Sequence, residues 1–168
     1  MRIRILITLF ILFTILWSTS CRKDFEYTAS NGHLSFSKDT VYLDTVFSNI
    51  GSSTYTLKVY NDTKDDVIIP NIALRNGTES FYRLNVDGVA GNSFTDIPIY
   101  AKDSLFILIE TTIDITDNSI NELLYTDAIQ FDNEPNLQSV ELVTLAKNAI
   151  FLFANSNTEH IDLYNDES

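Results

Sequence analysis

Cysteine occurs once in these 168 residues, at Cys21, and histidine twice, at His33 and His160. One thiol closes no intrachain disulfide, builds no zinc–thiolate cluster and forms no redox pair, so stability has to come from packing. Histidines at opposite ends of the chain leave no evident base beside a serine nucleophile, which needs one within hydrogen-bond reach. Basic residues are also scarce, 11 against 23 acidic ones, for a formal net charge of −12. A surface of that sign repels phosphate backbones, which argues against nucleic acid as a partner. Long amphipathic helical patterns are missing as well, and no apolar run approaches the roughly 20 residues that span a bilayer.

The longest apolar run is Ile5 to Trp17, thirteen residues. Arg2 and Arg4 precede it, and Ser18-Thr19-Ser20 and Cys21 follow. A basic start, a short apolar middle and a small-residue exit are the pattern of an export signal, so residues 1–20 are set apart from the fold. Without Arg2 and Arg4 the remaining chain carries −14 instead of −12.

Leu16-Trp-Ser-Thr-Ser-Cys21 resembles the lipobox of bacterial lipoproteins, in which the cysteine is acylated and becomes the new N-terminus. Ser18 stands three residues before the cysteine, where a large aliphatic residue is usual. An ordinary signal peptide, an uncleaved anchor and a buried core cysteine are the alternatives. Lipidation is preferred because it accounts for the position of the chain's only thiol. Two or more acyl chains hold a protein stably at a bilayer, at about 0.8 kcal/mol per buried methylene. Lys23-Asp24-Phe25-Glu26 resembles the short acidic signal that sends lipoproteins of Bacteroidota to the outer face of the outer membrane, with a solvated periplasmic linker as the alternative. Residues 21–32 lack periodicity and end in turn formers, and so read as a tether.

From Leu34 the pattern changes to short alternating segments separated by turns. Thr54 to Tyr60 sets Tyr55, Leu57 and Val59 on one face and Thr56 and Lys58 on the other, the period of a half-buried strand. Val67 to Leu74 is apolar around Pro70, whose missing N–H suggests a kinked edge strand. Leu105 to Ile113 is apolar on both faces, as in a central strand, and its β-branched and aromatic content argues against helix. About eight such strands at 8–12-residue spacing indicate an all-β, antiparallel, Greek-key sandwich of about seven to nine strands over residues 33–149, with a small barrel as the alternative. Residues 150–168 read as a last strand and polar tail, or as the start of a further domain.

The order of these features resembles a family. Leu34-Ser-Phe36, the turn Asn49 to Ser53, the strand Tyr55 to Asn61, the isoleucine-rich Val67 to Leu74, the segment at Phe81 and the run Lys102 to Thr111 look like the immunoglobulin-like domains of the ASPM, SPD-2, Hydin type. The same order resembles the domains that open many surface lipoproteins of Bacteroidota. Where such domains usually carry proline or glycine ahead of the long strand, this chain has Ala101 to Ser104. The resemblance implies an immunoglobulin-like spacer or interaction module with no catalytic activity and no cofactor. It would be held at the outer membrane by its lipid and would meet a protein or glycan partner.

Competing site chemistry is thinner. Asp114, Asp117 and Glu122 share one loop and Glu110 interrupts a strand, but glycosidase chemistry needs two carboxylates about 5–10 Å apart, and on an acidic chain such pairs arise by chance. Asp62, Asp65 and Asp66 in one turn, and Asp114, Asp117 and Asn118 in another, offer hard oxygen ligands for calcium but lack the EF-hand spacing and closing glutamate. Thr40, Thr45 and Ser104 sit in triplets resembling the O-glycosylation pattern of Bacteroidota, which threonine- and valine-rich strands also generate unaided. Asn61 and Asn76 fit the N-glycosylation triplet. Of the tyrosines in expected strands, Tyr42, Tyr55, Tyr60, Tyr82 and Tyr100, most are expected in the core. A sugar-binding surface would show as a concave, aromatic-lined patch on one sheet.

Overall fold

The computed structural model describes residues 27–115 and 120–149. Cys21, Lys23, Asp24, Phe25, Glu26, Asp117, Asn118 and His160 lie outside the described residues. Two β-sheets pack face to face in an all-β, antiparallel-rich, immunoglobulin-like sandwich.

One sheet is built around β5 (Val67–Leu74). Along one edge of β5 runs β8 (Ser93–Ile99); along the other lie first β1 (Thr28–Ala29) and then β10 (Glu122–Phe131). Beyond β10 come β11 (Gln138–Lys147) and β3 (Thr40–Phe47). The second sheet has the order β2 (Ser35–Phe36), β4 (Tyr55–Tyr60), β9 (Ser104–Thr111), β6 (Tyr82–Val86), β7 (Val89–Gly91). The pairs β1–β5 and β3–β11 are parallel and the others antiparallel. Only the β6–β7 and β10–β11 hairpins stay within one sheet; every other connection crosses between the layers. Asp87-Gly88 closes the β6–β7 hairpin with φ of 50° and 82°, and Val86 pairs with Val89 across it. Positive φ at both central residues is what a two-residue turn matched to strand twist requires.

The alternating pattern explains which side chains meet in the middle. Leu57 and Val59 of β4, Leu84 and Val86 of β6 and Ile107 and Ile109 of β9 face Ile69, Ile72, Ile129, Phe131, Val140 and Leu142 of the other sheet in one buried cluster. Each such aliphatic or aromatic side chain contributes about 1.5–3 kcal/mol when fully buried. A satellite cluster of Val46, Ile113, Ile115 and Ala146 closes one end.

Several details depart from the sequence-based expectations. The described residues hold eleven strands because β1, β2 and β7 are short pieces of two or three residues; eight strands have five or more. Pro70 does not mark an edge. It lies in the interior strand β5, between the stretch covered by β1 and the stretch covered by β10, and opposite Asp96, whose φ is 55°. The missing donor thus falls in an interruption of the ladders. Pro98 sits on edge strand β8, where a lost donor is tolerated.

Thr28 and Ala29, expected in the tether, pair with Val67 and Ile68. Ser30 is buried and donates to Asp132 Oδ1, while the Gly32 N–H donates to Asp132 Oδ2 at 2.6 Å. These bonds sew the start of the domain to the β10–β11 turn. Gly32 has φ of 75°, and a Cβ there would come within 3.1 Å of the Asn136 carbonyl oxygen.

Of the five tyrosines expected in strands, Tyr82 is fully buried, Tyr55 packs half-buried against the core and Tyr60 is half-buried, whereas Tyr42 is 71% exposed and Tyr100 is also exposed. The largest departure concerns β9. It is the central strand, but only Leu105, Ile107, Ile109 and Thr111 are buried, and Phe106 and Leu108 project from the outer face at 48% and 39% exposure.

Neighbouring residues of β9 should therefore differ sharply in their effect on stability. Ile107→Ala is expected to cost about 2–5 kcal/mol, and Phe106→Ala less than about 1 kcal/mol. Urea unfolding of the two variants measures both, and equal costs would contradict this division of faces.

Candidate functional site: a groove on the outer face of the five-stranded sheet

The outer face of the second sheet is a grid fixed by strand register. Thr56, Leu108 and Asn85 form one row across β4, β9 and β6. Lys58 and Phe106 begin the next row, and Asp87, the residue after the Val86–Ile107 pair, comes level with them from the hairpin turn. On the far side of Leu108, Glu110 pairs in register with Arg83, and Thr54 lies beside it.

These rows differ in how their polar groups are used. Thr54 Oγ1 donates to Glu110 Oε1 at 2.5 Å, and Arg83 Nη2 stands 4.0 Å from Glu110 Oε2. That row is satisfied within the protein. The side chains of Thr56, Asn85, Asp87 and Ser104 make no hydrogen bond among the described residues. They surround a groove of about 520 Å³ whose apolar floor is Phe106 and Leu108. Lys58 Nζ lies 4.5 Å from the Phe106 ring centroid, the geometry of a cation–π contact. The flanking strands cover both edges of β9, so the floor offers side chains and no free backbone edge. A shallow groove with an apolar floor and a few polar side chains at its rim, here without hydrogen bonds among the described residues, is a form that small-ligand sites take.

The residues singled out in the sequence are dispersed. Thr40 is half-buried at the start of β3, Thr45 is exposed on the same strand, and Ser104 lines the groove. Asp114 is exposed, and among the described residues no group of three or more His, Cys, Asp or Glu side chains is placed to hold a metal. In the other acidic turn Asp66 Oδ1 accepts from the Ala101 N–H at 2.8 Å, and the Asp62 carbonyl accepts from Lys102 Nζ. Asn61 is buried at the centre of that turn. Its amide donates to the carbonyls of Asp65, Ile99 and Tyr100 and its oxygen accepts from Thr63, so it joins the end of β4 to the end of β8. The carboxylates weighed for catalysis are separately engaged, Glu110 as described and Glu122 with Lys147 at 2.7 Å. His33 is exposed at the domain edge.

One buried carboxylate, Asp127, was not anticipated, and Tyr82, expected in the core, makes a polar contact there. Asp127 Oδ1 accepts from the N–H groups of Ala128 and Asn76, and Arg75 Nε is 3.8 Å away. Tyr82 donates its hydroxyl to Thr144 Oγ1 at 2.9 Å. Burial favours its neutral form and pushes its pKa up to about 12 from 10.0.

No family model matches the chain, and no curated protein matches it. Solved structures do. The ASH/PapD-like domain 7 of human CEP192 aligns with 79% of this chain and 96% of its own length, at 8% identity and a TM-score of 0.42. A protein of unknown function from Porphyromonas gingivalis aligns over 68% of this chain and 48% of its own, at 12% identity and 0.45. The E. coli chaperone DraB aligns over 68% and 54%, at 12% and 0.40. This chain thus spans about half the length of the last two. The fold assignment rests on the two packed sheets themselves.

The raised Tyr82 pKa fixes the sign of one pH effect. The folded state holds this proton more tightly than the unfolded chain, so the contribution is fully present below pH 10 and is lost as pH rises toward 12. Denaturant titrations across that window should show falling stability with a shallower slope for Tyr82→Phe, which also costs about 0.5–1.5 kcal/mol at neutral pH. An unchanged slope would contradict the assignment.

Proposed function

We propose that this protein is a lipid-anchored module of a bacterial outer membrane that works by binding a partner and not by catalysis. The observation that carries the binding part is the Phe106–Leu108 column, exposed among the described residues and bordered by polar side chains that make no hydrogen bond among them. An apolar floor with a few polar groups at its rim is the common form of a small-ligand site.

The anchoring part rests on Cys21 and its flanks. Acylation of Cys21 would put only Arg22 to Glu26 between the lipid and Tyr27. Six residue steps reach at most roughly 20 Å. From there β1 ties directly into the six-stranded sheet, whereas the groove lies on the outer face of the other layer. One layer carries the tether and the opposite one stays open to a partner. Lys23-Asp24-Phe25-Glu26 supports display on the cell surface, and the acidic body discourages lying flat on anionic headgroups.

Fractionation of cells producing the full-length chain tests this reading. Cys21→Ala should move the protein from detergent-extracted envelopes to the soluble or inner-membrane fraction and remove the acyl mass from its N-terminus. Unchanged partition and mass would overturn it.

A further inference from the structure

We propose that the groove on the outer face of the five-stranded sheet is a saccharide site for a neutral, uncharged oligosaccharide; this rests on the interaction-module reading above and names the partner of the same groove.

The chemistry of the lining selects this class. Phe106 and Leu108 form a flat apolar strip only two side chains long, 48% and 39% exposed, too small for a stable protein–protein core but matched to the C–H face of one or two pyranose rings. The rim presents the Asn85 amide, which both donates and accepts, the Thr56 and Ser104 hydroxyls, which do the same, and the Asp87 carboxylate, which accepts. Ring hydroxyls need such bifunctional partners, and none of these four side chains has one inside the protein among the described residues.

Charge narrows the choice further. Asp87 lines the groove on one side of Phe106 and Lys58 lies over the Phe106 ring on the other, so the groove is bordered by one charge of each sign. A polyanion meets Asp87 and the −14 of the chain beyond residue 20; a polycation meets Lys58. The Lys58 ammonium already occupies the π face of Phe106, and a sugar stacking there takes its place. An extended peptide is disfavoured because β4 and β6 close both edges of β9, which denies it a backbone ladder.

The test uses the purified full-length chain in a detergent that carries no sugar. It is applied to immobilised neutral oligosaccharides of glucose, galactose, mannose and N-acetylglucosamine, with heparin as the charged control. At least one neutral oligosaccharide should be retained, and titration calorimetry with it should show tenfold or greater weakening for Phe106→Ala. Asn85→Ala and Thr56→Ala should each weaken binding several-fold, and Tyr42→Ala, on the other sheet, should leave it unchanged. The melting temperature of each variant separates lost binding from lost folding. Retention of heparin alone, binding indifferent to Phe106→Ala, or no retention of any neutral oligosaccharide would overturn the proposal. A blank panel with Cys21-dependent attachment intact removes the saccharide and leaves the anchored module standing, whereas loss of that dependence removes the reading beneath it.

Discussion

A strand in a two-layer sandwich can bury only one of its faces, and the inner faces of β9 and its neighbours hold this molecule together. Leu57, Val59, Leu84, Ile107 and Ile109 meet Ile69, Ile72, Phe131 and Leu142 with no disulfide to assist them. Nearly every connection crosses between the layers, so each loop fixes one sheet against the other. The same geometry makes the outer side of β9 available. A strand that is apolar on both faces usually has cover on both; here the second layer of cover is absent among the described residues, and Phe106 and Leu108 meet solvent.

Polar groups inside the body are mostly committed to holding its ends. Asn61 bridges three carbonyls at one end, Asp132 receives Ser30 and Gly32 at another, and Tyr82 ties to Thr144 across the layers. Against that background the side chains of Thr56, Asn85, Asp87 and Ser104, which make no hydrogen bond among the described residues, stand out, because the adjacent Thr54–Glu110–Arg83 row shows that the same sheet can satisfy its polar groups internally.

The fold was legible because burial on one face imposes a period of two. Tyr55 to Tyr60 and Leu105 to Thr111 carry that period or a doubly apolar version of it, and both are strands at the expected places. The short strands β1, β2 and β7 were not legible, since two or three residues carry no period. Pro70 misled because its local chemistry signals an edge, while the gap that accommodates it is made by β1 and β10, far away in sequence. The groove was half visible. The apolar excess of Leu105 to Ile113 announced it, but periodicity cannot say whether a second apolar face is covered. Thr56 and Asn85, 29 positions apart in the sequence, become neighbours of Leu108 only through register. The tyrosines drew attention away from Phe106, which faces out beside polar side chains that make no hydrogen bond among the described residues.

The claim on which this account turns is that the outward side of β9 is occupied in the cell by a sugar. A diazirine-bearing phenylalanine analogue placed at position 106 of the full-length protein, irradiated in intact envelopes and followed by mass analysis of the adducts, addresses it directly. The account predicts carbohydrate-mass adducts at 106 and none from the same probe at position 42, which is more exposed but lies on the other sheet. Carbohydrate labelling at both positions, or at neither, would contradict it.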